Sequence, residues 1–108
     1  MRIARVTGTV TLGKKLPELR PGRLLIVEAL DFHALAHLDE MAQRQTPMPQ
    51  SLVVFDELGA GAGQIIAVSE GGEACMPFHP DQVPLDAYCA AIIDEVEVTS
   101  LEKEVAAA

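Results

Sequence analysis

Val54-Phe55-Asp56-Glu57-Leu58-Gly59-Ala60-Gly61-Ala62-Gly63-Gln64-Ile65-Ile66-Ala67-Val68 is the stretch that decides the fold of this 108-residue chain. Glycines at alternate positions invite a dinucleotide-binding reading. That fingerprint requires a strand, a glycine turn and then a helix, so that the helix N-terminus faces the pyrophosphate. Here the glycines run into Gln64-Ile65-Ile66-Ala67-Val68, which is strand-like, and no crossover helix follows. The stretch therefore reads as strand, glycine loop, strand. Its glycines permit positive φ or close backbone approach, as between packed subunits.

Outward from this centre the chain continues to read as β-structure. Upstream, Leu52-Val53-Val54-Phe55 is a strand, and Leu24-Leu25-Ile26-Val27 is another, apolar on both parities and so expected to be buried on both faces. At the N-terminus Ala4, Val6, Gly8, Val10 and Leu12 alternate with Arg5, Thr7, Thr9 and Thr11, the pattern of a half-buried strand. Gly13 to Gly22 is a polar loop bracketed by Gly and Pro. Downstream, Gly71-Gly72 predicts a turn, Pro77 to Val83 an irregular loop, Pro84 to Tyr88 one helical turn, and Ala90 to Val98 the last strand. Only between Asp31 and Arg44 does the period become helical, through Leu35, Leu38, Met41 and Ala42, with Asp31 as N-cap and Pro47 and Pro49 ending the segment. Short strands with few helices predict a small closed or partly closed barrel, since closure removes exposed edges. We place that domain at residues 1–98, followed by a tail at 99–108 that is helix-prone but too short to be stable alone.

Composition narrows the function. Hydrophobic residues make up 49% of the chain, more than one small barrel hides, and burial against identical neighbours in a closed ring resolves the excess. The formal net charge of −8 repels phosphate backbones, and 4% aromatic content leaves little to stack bases on, so an OB-type nucleic-acid binder is disfavoured. No apolar run approaches the roughly 20 residues needed to span a bilayer, and the charged alternation of Arg2 to Thr7 is unlike a signal peptide. Cys75 and Cys89 read as reduced thiols in a cytoplasmic chain.

Candidate chemistry is sparse. His33 and His37 lie four apart on the predicted helix and, with His79, Cys75 or Cys89, could supply metal ligands. A small metal- or metabolite-binding barrel is thus the alternative function. The plainer reading is two surface histidines, because no zinc-protease Glu adjoins His33 and no Cys-x-x-Cys pair exists. Neither cysteine has a local activating signature, no Gly-x-Ser-x-Gly elbow occurs, and Asp94, Glu95 and Glu97 read as a solvated rim. We therefore expect no catalytic residue, no cofactor and no resident metal.

Three ordered segments carry a resemblance. Met1 to Val10, Val54 to Gln64, and Pro84-Leu85-Asp86-Ala87-Tyr88-Cys89-Ala90-Ala91-Ile92-Ile93-Asp94 resemble corresponding stretches of the EutN/CcmL family, the vertex proteins of bacterial microcompartment shells. The resemblance implies a five-stranded OB-like β-barrel, mainly β, with a short helical insert and assembled as a pentameric ring. It further implies a structural subunit that caps icosahedral vertices, is not an enzyme, and meets hexagonal shell proteins and encapsulated enzymes in the cytoplasm. On this reading Thr7, Gly8, Gly59, Gly61 and Gly63 are subunit-packing positions, and Asp86 and Asp94 are hydrogen-bonding or capping residues. Gln64 stands where the family usually has Glu, and Ala91 where it has Gly. The 31–50 insert is longer than the family pattern, which makes it the candidate for partner-specific contacts.

Overall fold

The computed structural model describes residues 1–41 and 48–99. Five strands, β1 (Arg2–Val10), β2 (Arg23–Ala29), β3 (Ser51–Asp56), β4 (Ile65–Glu70) and β5 (Ala87–Ile93), close into a barrel in the order β1-β2-β3-β5-β4. Every pairing is antiparallel except β3 with β5, which run parallel where Phe55 faces Tyr88. The glycine loop leads directly into β4, as its sequence predicts.

The inward side chains form one core: Ala4 and Val6 from β1, Leu25 and Val27 from β2, Val54 from β3, Ile66 and Val68 from β4, and Ala87 and Cys89 from β5. Two bulges interrupt the simple alternation. The β1–β2 register shifts between Val6 and Gly8, so strict alternation does not persist to Leu12, which lies past the strand and is 43% exposed. The β4–β5 register shifts at Ala67/Val68, and both Cys89 and Ile92 thereby contribute to the core despite opposite parity.

The outer wall is covered in two places. Around Leu30 and Ala34, the insert packs Leu35 and Leu38 with Ile3 and Ile65 of the barrel. At the other cover, Phe78, Val83 and Leu85 pack on Phe55, Leu24 and Tyr88. Leu24 and Ile26 are consequently half-buried, while Leu25 and Val27 are fully buried, so the expectation of burial on both faces of β2 holds in part.

Four local expectations are corrected. The single helix expected from Asp31 to Arg44 is two short ones, α1 (Phe32–Ala36) and α2 (Leu38–Met41). They break at His37, whose backbone leaves the helical region at φ −132°, ψ 46°; residues 42–44 of that prediction lie outside the described residues. Asp31 does cap α1, accepting from the Ala34 N–H at 2.8 Å. The helical turn expected at Pro84 to Tyr88 instead lies earlier, as α3 (Gly72–Cys75) and a 3₁₀ turn at Met76–Phe78, followed by a cis His79–Pro80 bond. The loop expected at Pro77 to Val83 therefore begins inside ordered structure. Finally, β5 spans Ala87–Ile93, not Ala90 to Val98, because its partner β4 begins at Ile65, opposite Ile93, and offers nothing further to pair with. Most of the predicted tail lies outside the described residues.

Candidate functional site

The glycine loop is organised by a residue that precedes it. Asp56 ends β3 and is 1% exposed. Its carboxylate accepts from three consecutive backbone N–H groups: Leu58 at 2.9 Å, Gly59 at 3.0 Å and Ala60 at 2.9 Å. A buried charge is tolerated only with such satisfaction. Gly59 has φ 89°, which lets the chain curl around the carboxylate, and Gly63 has φ 89° at the entrance to β4. Between them, the Gly61 N–H donates to Gln64 Oε1 at 2.6 Å. Here a neutral amide oxygen is the acceptor. The loop is tied to the barrel by the Gly63 N–H to Val6 C=O bond (2.8 Å), the Val6 N–H to Gln64 C=O bond (2.9 Å) and Arg23 Nη1 donating to the Ala60 C=O (3.0 Å).

The expected packing positions fall as follows. Thr7 is exposed at the β1 bulge, and its hydroxyl donates to the Ile26 C=O at 3.2 Å. A Cβ on Gly8 would meet only Ile26 Cδ1 at 3.9 Å, and one on Gly61 only Gln64 Oε1 at 3.8 Å. Beside Gly59 and Gly63 nothing lies within 4 Å. Backbone conformation thus requires glycine at 59 and 63, whereas crowding within one copy requires it at none of the four. Asp86 and Asp94 are exposed. Asp86 contributes through its main chain, its C=O accepting from the Gly71 N–H at 2.9 Å.

The groups considered for chemistry are dispersed or quenched. The His33 and His37 rings stack with centroids 4.5 Å apart, and His37 Nδ1 lies 3.0 Å from the His33 C=O. Among the described residues no three His, Cys, Asp or Glu side chains come together to hold a metal ion. Cys89 is fully buried, and burial followed by the neighbouring Asp56 charge pushes its thiol up to about 12, which suppresses the thiolate. Cys75 Sγ donates towards the Val83 and Leu85 carbonyls at 3.2 and 3.1 Å. Tyr88 is also raised, by burial and then by Glu57, whose carboxylate accepts from its hydroxyl at 3.5 Å. No helix among the described residues is long and apolar enough to cross a membrane.

Two charged positions that sequence reasoning passed over are integral to the barrel wall. Glu28 is 2% exposed, pairs with Arg5 Nη2 at 2.9 Å, and accepts from the Met48 N–H at 2.9 Å. Asp56 could have been found from its place just ahead of a glycine-rich run, where an Asp side chain often caps the following amides. Glu28 has no such local signal, because its partner Arg5 meets it only through the β1–β2 register.

Several large apolar side chains remain exposed on one copy, among them Phe32 (53%), Val53 (52%), Leu58 (51%) and Met76 (64%). A small barrel carrying such residues fits a subunit that buries surface against neighbours.

Comparison with known proteins agrees with this geometry. The family model described as "Ethanolamine utilisation protein EutN/carboxysome" matches residues 1–94, ending one residue after β5. The carboxysome shell vertex protein CcmL of Synechocystis sp. is 33% identical over 100 residues, covering 93% of this chain and 89% of that protein. The shell vertex protein GrpN of Rhodospirillum rubrum is 31% identical over 100 residues, covering 93% of this chain and all of that protein. The solved structure of GrpN, a pentameric microcompartment shell protein, superposes with a TM-score of 0.71, covering 92% of this chain and 100% of that one at 31% identity. CcmL from Gloeobacter violaceus gives 0.72 at 32% identity, covering 91% and 90% of the two chains.

Proposed function

This chain belongs to the EutN/CcmL family, and on that premise we propose that it is a structural vertex subunit of a bacterial microcompartment shell, acting as a homopentamer. The observation that carries this reading is the continuity of the match, which spans the whole closed barrel and agrees in fold with a pentameric shell protein. The role is non-enzymatic and cytoplasmic. Its partners are further copies of itself and the hexagonal proteins of the same shell, with encapsulated enzymes on the inner side.

Gly8, Gly59, Gly61 and Gly63 are the proposed close-approach positions of the ring, together with Thr7. In one copy the space beside Gly59 and Gly63 is open and that beside Gly8 and Gly61 is uncrowded, so a neighbouring subunit can approach the backbone there. Asp86 and Asp94, both exposed, are placed at its hydrogen-bonding rim. Native mass spectrometry or sedimentation tests the reading. A species of five chains is the expected result; a strict monomer at micromolar concentration would overturn it.

A further inference from the structure

Half of the chain's 8 Lys and Arg residues fall within ten positions, at Lys14, Lys15, Arg20 and Arg23, and that stretch holds a single carboxylate, Glu18. In a chain of net charge −8 this is a concentrated exception. Folding brings Lys15, Arg20 and Arg23 around one cavity of about 420 Å³, with Thr9 and Thr11 also on its wall and no Asp or Glu lining it.

None of the three cations forms an ion pair among the described residues, although Arg23 also borders a second hollow lined by Asp56 and Glu57. Arg23 Nη1 donates to the Ala60 C=O at 3.0 Å. The Arg20 guanidinium sits 4.8 Å from the centroid of the Phe78 ring, a cation–π contact. Lys15 Nζ reaches the Leu19 C=O at 3.4 Å. The two ion pairs among the described residues use other arginines, Arg2 with Glu70 and Arg5 with Glu28. Gly22 fixes the backbone between the two cavity arginines: it lies against the Phe55 ring, which any Cβ there would overlap. Three like charges lining one cavity with no carboxylate on its wall repel one another, and an anion between them removes that repulsion. Guanidinium forks suit the paired oxygens of carboxylates and phosphates. The cavity also falls within the roughly 300–1,000 Å³ usual for small-molecule sites.

We propose that this cavity binds a small multi-oxygen anion, a phosphate ester or polycarboxylate, through Lys15, Arg20 and Arg23. The inference uses residues of a single copy and does not depend on ring formation. The same oxyanion chemistry could come from a carboxylate of an adjacent subunit, and the test separates that source from a free ligand. The full-length protein is titrated with inorganic phosphate and with citrate at constant ionic strength, following amide shifts of Gly22 and Arg23 by NMR and heats by calorimetry. Native mass is recorded on the same samples. Saturable binding is expected, weakened by about tenfold or more in Arg20→Gln/Arg23→Gln, since charge-assisted bonds are lost. Lys15→Gln, which leaves the Phe78 and Ala60 contacts intact, is expected to weaken it less, and Arg2→Gln not at all. Shifts that never saturate, or that persist unchanged in the cavity variants, would overturn the proposal. It would equally fail if those variants disrupted the oligomer while no anion bound the original protein, which would assign the cavity to a neighbour's carboxylate.

Discussion

Asp56 shows what a single residue contributes to this fold. Its carboxylate turns three amides of the glycine loop inward, and removing it would leave those donors unsatisfied beside the core. Asp56→Ala is expected to lower stability by about 3 kcal/mol, within the range for breaking a buried charged hydrogen-bond set. Asp56→Asn, which keeps one acceptor oxygen, should lose less. Urea denaturation measures the difference, and hydrogen exchange should show early loss of protection at residues 58–60. The thiols offer a second check. Cys89, held up at about 12, should react far more slowly with a thiol reagent at pH 8 than the half-buried Cys75. The same shift has a pH signature. Its folded value lies above the unfolded one, so its stabilising contribution is complete below the ordinary thiol range, near 9, and is lost as pH rises towards 12. Cys89→Ala should therefore flatten the alkaline fall in stability, visible as a smaller loss of Tm between those limits. At this scale legibility follows locality. The Asp31 cap could be read because cap and amide are three residues apart. The burial of Glu28 could not, because Arg5 lies 23 positions away along the chain.

Elements were legible where a regular period persisted and illegible where pairing ended it. The glycine loop and the strands around it follow from their sequence, but each bulge defeats a reading based on strict alternation. Glu95-Val96-Glu97-Val98 alternates as a strand should, yet the β4–β5 register stops at Ile65 opposite Ile93. The insert differs again: α1 and α2 are too short to persist alone and are held through Leu30, Ala34, Leu35 and Leu38 against Ile3 and Ile65. Deleting the whole insert would uncover that patch, so a point substitution is the cleaner probe of partner contact. Phe32 is more than half exposed at the start of α1. Phe32→Ser should leave the oligomer mass unchanged while reducing incorporation into shells, as measured by co-purification with the hexagonal proteins. Unchanged incorporation would remove Phe32 from that role.

For the whole molecule, charge opposes what apolar surface favours. In the proposed pentamer, five copies at −8 each bring together about −40 of formal charge. Salt screens such repulsion, with a Debye length of about 30 Å at 0.01 M and about 8 Å at 0.15 M. The pentamer should therefore dissociate more readily on dilution at low ionic strength and hold together as salt rises, which sedimentation across a salt series would reveal. The opposite slope would mean that subunit contacts are dominated by attractive ion pairs. Barrel closure was legible as a class from short strands and few helices, whereas the number five rests on family membership.

The strand order has a consequence for how the protein is made. β5 alone bridges β3 and β4, and among the described strands it is synthesised last. Until residues 87–93 emerge, a nascent chain carries two unsatisfied strand edges and cannot complete its fold. Barrel closure therefore waits on β5, and a chain truncated before it would be a sticky fragment instead of a smaller working subunit.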